Sequence, residues 1–200
     1  MAPANLTALP IFTLGTVLFA EGLLPLRVFE TRYVDMVCQA LKSGEPFGVC
    51  AIREGKEVGA PALPAAIGTL AYIEDCDMEQ LGVLQIKARG EARFRILAQR
   101  TNEQGLVIAR AELLAGETDG PIDARYRPLV RLLESIIADH KTTFFRAPYR
   151  VESAQWVSSR IAEILPIPAA MKQRFLEMDS AVERLESVYA LLEERGLFKK

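Results

Sequence analysis

The hydrophobic period of this chain changes once, at the segment AGETDGP (115–121), and that change limits the folds open to it. Before it, short runs rich in Val, Ile, Leu and Phe alternate with turn residues: LPIFTL, LLPLRVF, FGVCAI, GTLAYI, GVLQIKA, ARFRILA and LVIARAEL. Side chains at period two line one face of a strand, so this portion is expected to form a sheet or a barrel. One helix interrupts it, where Tyr33, Met36, Val37, Ala40 and Leu41 recur at helical spacing until Ser43 and Gly44 end the run. The segment 53–66, rich in Gly and Pro, is the longest loop of this half; loops of that length are as often plain connections as functional ones.

After the linker the period is helical. Tyr126, Leu129, Val130, Leu133, Ile136 and Ile137 form one stripe, with Pro128 suited to its first turn. Trp156, Val157, Ile161, Ile164 and Leu165 form a second, stopped by Pro166. Pro168 suits the start of a short third helix through Met171 and Phe175. Ser180 and Glu183 have capping-box spacing for a last helix that Gly196 ends. The chain is therefore expected to be α+β, with a β domain over 1–117 and a helical bundle over 118–200.

Composition removes several function classes. Of 200 residues half are hydrophobic and a quarter charged, as in ordinary globular proteins, and a formal net charge of -2 gives no global attraction to nucleic acid or anionic lipid. Three cysteines, Cys38, Cys50 and Cys76, without any CxxC pair indicate neither a disulfide framework nor a zinc site. No Lys or Arg precedes Arg27, so the apolar N-terminus lacks the basic region of a secretory signal, and no apolar run reaches the ~18 residues of a membrane span. The expected setting is the cytoplasm, without membrane partners.

Three segments carry a family resemblance. LPIFTLGTVLFAEGLLPLRVFETRYVDMV (9–37) resembles the opening of the Lon N-terminal domain, the substrate-recognition module of Lon proteases that also occurs in cereblon. IGTLAYIEDCDMEQLGVLQIKARGEARFRIL (67–97) is similar to that family's central strands, and RIAEILPIPAAMKQRFLEMDSAVERLESVYALLE (160–193) to its helical end. The chain departs from the pattern at Thr31, where the family often has proline. The resemblance implies a PUA-like β-barrel followed by helices, and a stand-alone substrate-binding module. Its implied partners are peptide segments or unfolded proteins, with a separate ATPase or protease acting in trans as a further partner. Neither motor nor peptidase is expected in this length of chain, and the Gly55-Lys56 pair is no phosphate-binding loop, because Cys50 and Glu57 occupy the positions of its first glycine and its hydroxyl residue.

No catalytic, metal or cofactor site is expected. His140 is the only histidine, so every Ser-His or Cys-His pair would need it, and near a helix C-terminus its bland role is to complement the dipole. The run Glu74, Asp75, Asp77 and Glu79 lacks the glycine and closing glutamate of a calcium loop, and reads as solvated loop. Cys38 and Cys50 read as small core residues, and Cys76 lies among acids that raise its pKa.

Two polar features remain. In VLQIKARGEARFRI, a hairpin turn at Gly90 would put Lys87, Arg89, Arg93 and Arg95 on one outer face, the basis of an RNA-binding alternative. With no aromatic interleaved for base stacking, nucleic acid ranks below peptide as a partner. In PLRVFETRY, Pro25 marks an edge or bulge, because it has no N–H to give a ladder. Arg27, Glu30, Arg32 and Tyr33 form the strand-to-helix corner. Arg27 is expected first to secure that corner, by bonding open carbonyls or an acid such as Glu30, and second to contact peptide.

Overall fold

A computed structural model of the protein describes residues 5–139 and 145–198. His140, expected near a helix end, lies outside them. The chain forms two compact units, one ending at Ala115 and the other beginning at Gly116.

The first unit holds seven strands and one helix among the described residues: β1 (Asn5–Leu14), β2 (Leu23–Val28), α1 (Thr31–Ser43), β3 (Phe47–Glu54), β4 (Leu63–Pro64), β5 (Ile67–Gln80), β6 (Val83–Thr101) and β7 (Val107–Leu113). Strand β1 pairs antiparallel with β7 and parallel with β3, so the pairing path β1-β7-β6-β5-β3 returns to its start. The short β4 extends β3, and β2 pairs β6 alone. Inside, Phe12, Val28, Phe47, Leu84 and Ile86 pack with Tyr33, Met36 and Val37 of α1. A neighbouring cluster gathers Ile11, Cys50, Leu70 and Phe94. Gly44, at φ 72, ends α1 where the sequence places its stop.

Two expectations fail here for identifiable reasons. Gly90 is no turn: β6 runs through it, and the β5–β6 turn falls at Gly82, whose φ is 81. The glycine serves close approach instead. Its N–H donates to Gly22 O (2.9 Å), its carbonyl accepts from Glu21 N–H (2.8 Å), and a Cβ there would lie 2.2 Å from Phe19 O. The acidic run, expected as loop, lies in β5, where cross-strand cations face it: Lys87 Nζ is 3.1 Å from Asp75, and Arg89 Nε 3.0 Å from Glu74.

In the second unit, a 3₁₀ turn (Ala124–Tyr126) leads into α2 (Arg127–Asp139), followed by α3 (Ala154–Ile164), α4 (Ala169–Glu177) and α5 (Ala181–Glu194). Leu129, Leu133, Val157, Ile161, Leu176 and Leu185 are buried, so the apolar stripes point where their spacing requires. Ser180 caps α5 by accepting from Glu183 N–H (3.3 Å). The segment expected as a plain linker is tied into this unit at its second half. Asp119 accepts from Gln155 N–H (2.9 Å) and the Ser153 hydroxyl (2.7 Å), and Glu117 pairs with Arg184, whose side chain is fully buried.

Candidate functional site

The site begins with the backbone of β2. Leu24, Leu26 and Val28 turn their side chains to the core, while Pro25 and Arg27 are exposed. The Gly90-to-Gly22 bond sets the alternation of main-chain groups: even-numbered residues of β2 face β6, and Leu23, Pro25 and Arg27 turn theirs away from it. Pro25 fits that side, since it has no N–H to lose. No strand among the described residues pairs this edge.

Beside the edge lies a groove of about 210 Å³. Its apolar lining comes from Phe12 and Leu14 of β1, from Leu26 and Tyr33, and from Phe29 and Val58, which are about half exposed. Tyr33 is held in place: its ring stacks on Phe12 at 4.0 Å, and its hydroxyl hydrogen-bonds Thr13 Oγ1 at 3.0 Å. The volume falls below the ~300–1,000 Å³ usual for small-molecule sites, and an open strand edge with an apolar trough suits an extended chain better.

The four corner residues separate into distinct roles. Arg32 is buried, pairs with Glu30 Oε2 (2.8 Å), donates to Gly105 O (3.1 Å) and lies 4.8 Å from the Tyr33 ring centroid. Glu30 also accepts from Gly59 N–H (3.4 Å), so the pair ties the start of α1 to the 53–66 loop. Arg27 does not take the corner role expected of it. Its guanidinium bonds no described residue, and the arginine that pairs with Glu30 is Arg32. Sequence reasoning missed Glu57 and Val58. Glu57 accepts from Gly15 N–H (3.1 Å), which anchors the loop against the end of β1 and holds Val58 over the groove. The only signal for them was the length of that loop.

The basic face does not assemble. With β6 continuous, Lys87 and Arg89 are engaged by Asp75, Glu74 and Glu91, Arg95 by Glu112 (3.1 Å), and Arg93 is buried. Of the two cysteines expected in the core, Cys38 is exposed instead, while Cys50 is buried as expected, which pushes its thiol far up. Cys76 is raised first by burial, then by Cys38, Asp75 and Asp77. No group of three or more His, Cys, Asp or Glu capable of holding a metal occurs among the described residues. No helix among the described residues is long and apolar enough to cross a membrane.

The family model for the ATP-dependent protease La (LON) substrate-binding domain matches residues 8–194, nearly the whole chain. The chain belongs to the Lon substrate-binding domain family. Among solved structures it is similar to the Lon N-terminal domain protein from Xanthomonas campestris, at 34% identity and a TM-score of 0.75, covering 92% of this chain and 98% of that one. The N-terminal domain of the Mycobacterium avium complex Lon protease shares the fold at 15% identity and a TM-score of 0.59, covering 91% of this chain and 96% of that one. No curated protein matches the chain. The Lon-domain fold thus places strands first and helices second, in the order read here, and the β2 edge lies within the matched region.

Proposed function

We propose that this protein is a non-catalytic module that recognises exposed peptide segments, laying them as an added strand along the open edge of β2 with side chains in the adjoining groove. Membership of the Lon substrate-binding family supports a substrate-recognition role. The observation that carries the location is the edge itself: Leu23 and Arg27 offer main-chain donors and acceptors, Pro25 an acceptor, above an apolar floor. Pro25 also limits the pairing. A proline on an edge blunts indiscriminate strand addition, so binding should be short-range and reversible.

In this reading the closed pairing path is the PUA-like barrel, the four helices are its companion bundle, and the protein works in the cytoplasm beside a separate ATPase or protease. The direct test is fluorescence anisotropy with labelled peptides from an unfolded protein. Binding should persist at high salt, because burial of apolar surface is not screened. Phe29→Asp and Val58→Asp should each weaken it at least five-fold without lowering the melting temperature. Unchanged affinity in both variants would place the binding surface elsewhere.

A further inference from the structure

The groove's charge pattern is asymmetric. Three of its lining residues are charged: Arg27, Glu30 and Glu57. Both carboxylates are already engaged, Glu30 by Arg32 and the Gly59 N–H, Glu57 by the Gly15 N–H. Arg27 alone is exposed on the outer face of β2 with its guanidinium bonding no described residue. Its neighbours across the sheet do not claim it: Gln85 stands opposite on β6, Lys87 is bonded to Asp75 (3.1 Å), and Asp77 Oδ1 accepts from Met78 N–H (2.7 Å).

We infer that the groove selects extended apolar segments carrying an aspartate or glutamate beside the anchoring side chain, and that Arg27 reads that carboxylate. This rests on the peptide-binding reading above and adds a substrate class to it. A chain added alongside β2 in register with Arg27 brings one of its own side chains onto the same face, at the ~4.5–5.5 Å separation of cross-strand neighbours. A guanidinium at that place forms a forked, charge-assisted bond with a carboxylate, but meets a lysine with repulsion. The apolar floor supplies affinity, and the single open cation supplies sign selectivity. At this exposed site the preference is modest, about five-fold, and falls with salt.

The test uses three labelled peptides, acetylated and amidated so that no terminal carboxylate competes. They share one apolar extended sequence and differ at a single position that is Glu, Gln or Lys. The wild-type protein should bind the Glu peptide about five-fold more tightly than the Gln peptide and the Lys peptide least, with the gap closing at high salt. Arg27→Gln should abolish the ranking while still binding the Gln peptide, and Arg27→Glu should invert it. Equal binding of all three by the wild type, with Phe29→Asp still destructive, would overturn the charge selection and leave the groove standing. Loss of all binding in every arm would instead remove the peptide-binding reading itself. A ranking that survives in Arg27→Gln would assign the selection to another cation and overturn the role of Arg27.

Discussion

Arg32 Nη2 sits 2.8 Å from Glu30 Oε2, and this ion pair, rather than any contact of Arg27, closes the corner between β2 and α1. Removing Arg32 leaves Glu30 with only the Gly59 N–H and strips Gly105 O of its donor. Arg32→Ala should therefore cost about 2–3 kcal/mol, the range for truncating one member of a mostly buried charged pair. Arg27→Ala, at an exposed position with no bonded partner among the described residues, should stay within about 0.5 kcal/mol. Urea unfolding followed by circular dichroism reads both; equal losses would mean that Arg27 holds the corner after all.

Gly90 should tolerate no side chain. An alanine Cβ would stand 2.2 Å from Phe19 O, and Leu18 closes the space at 3.0 Å. Neither contact is a flexible tip that can swing aside, so relief must come from moving the 19–22 turn, and with it the start of β2. Gly90→Ala should destabilise the protein by about 1–3 kcal/mol and weaken peptide binding as well. A variant with wild-type melting temperature and affinity would show that this turn shifts freely.

The second unit contains a buried charge network. Arg184 is fully buried, paired with Glu117 and bonded to Ser158 Oγ at 2.9 Å. Arg184→Met should cost about 3–5 kcal/mol by taking the buried guanidinium away from the Glu117 carboxylate, whereas adding Glu117→Leu should recover much of the loss, because the carboxylate that lost this counter-charge is then gone. Trp156, the single tryptophan, lies in α3 and makes fluorescence a local readout. A double variant that loses the sum of the two single losses would contradict this coupling.

What the sequence disclosed follows from how local each cause is. The stops at Gly44 and Pro166 and the cap at Ser180 depend on a few neighbouring residues, and each stands where its spacing puts it. The edge character of Pro25 was legible for the same reason, since a missing N–H constrains one position. Gly90 was misread because its requirement comes from Phe19, far away in the chain, and a strand glycine looks the same as a turn glycine without that neighbour. Arg27 and Arg32 were placed in one corner by proximity in sequence. Which of them pairs with Glu30 depends on the transition from period two to helix, and no spacing rule reports that. The groove's far wall was unreadable, because Glu57 and Val58 arrive through a loop whose path is fixed by a hydrogen bond to Gly15.

Acid should loosen the second unit through Asp119. Burial alone would raise its pKa, but hydrogen bonds from Gln155 N–H, the Ser153 hydroxyl and Gly120 N–H, with the Arg184 charge, outweigh it and hold the carboxyl below its ordinary value. A carboxyl depressed by folding adds stability that is complete above the unfolded value, about 3.9 for aspartate, and is lost as pH falls through the lower folded value. Asp119→Asn keeps a carbonyl acceptor for the N–H donors but cannot titrate. The variant should be less stable than the parent at neutral pH, and the gap should shrink as pH falls below the unfolded value and close once it has passed through the lower folded value, where the parent's carboxyl is protonated in both states. Trp156 fluorescence in urea at a series of pH values measures that gap directly. Taking the difference between the two proteins cancels the other acids, so a gap independent of pH would mean that the charge of Asp119 contributes nothing and only its geometry matters.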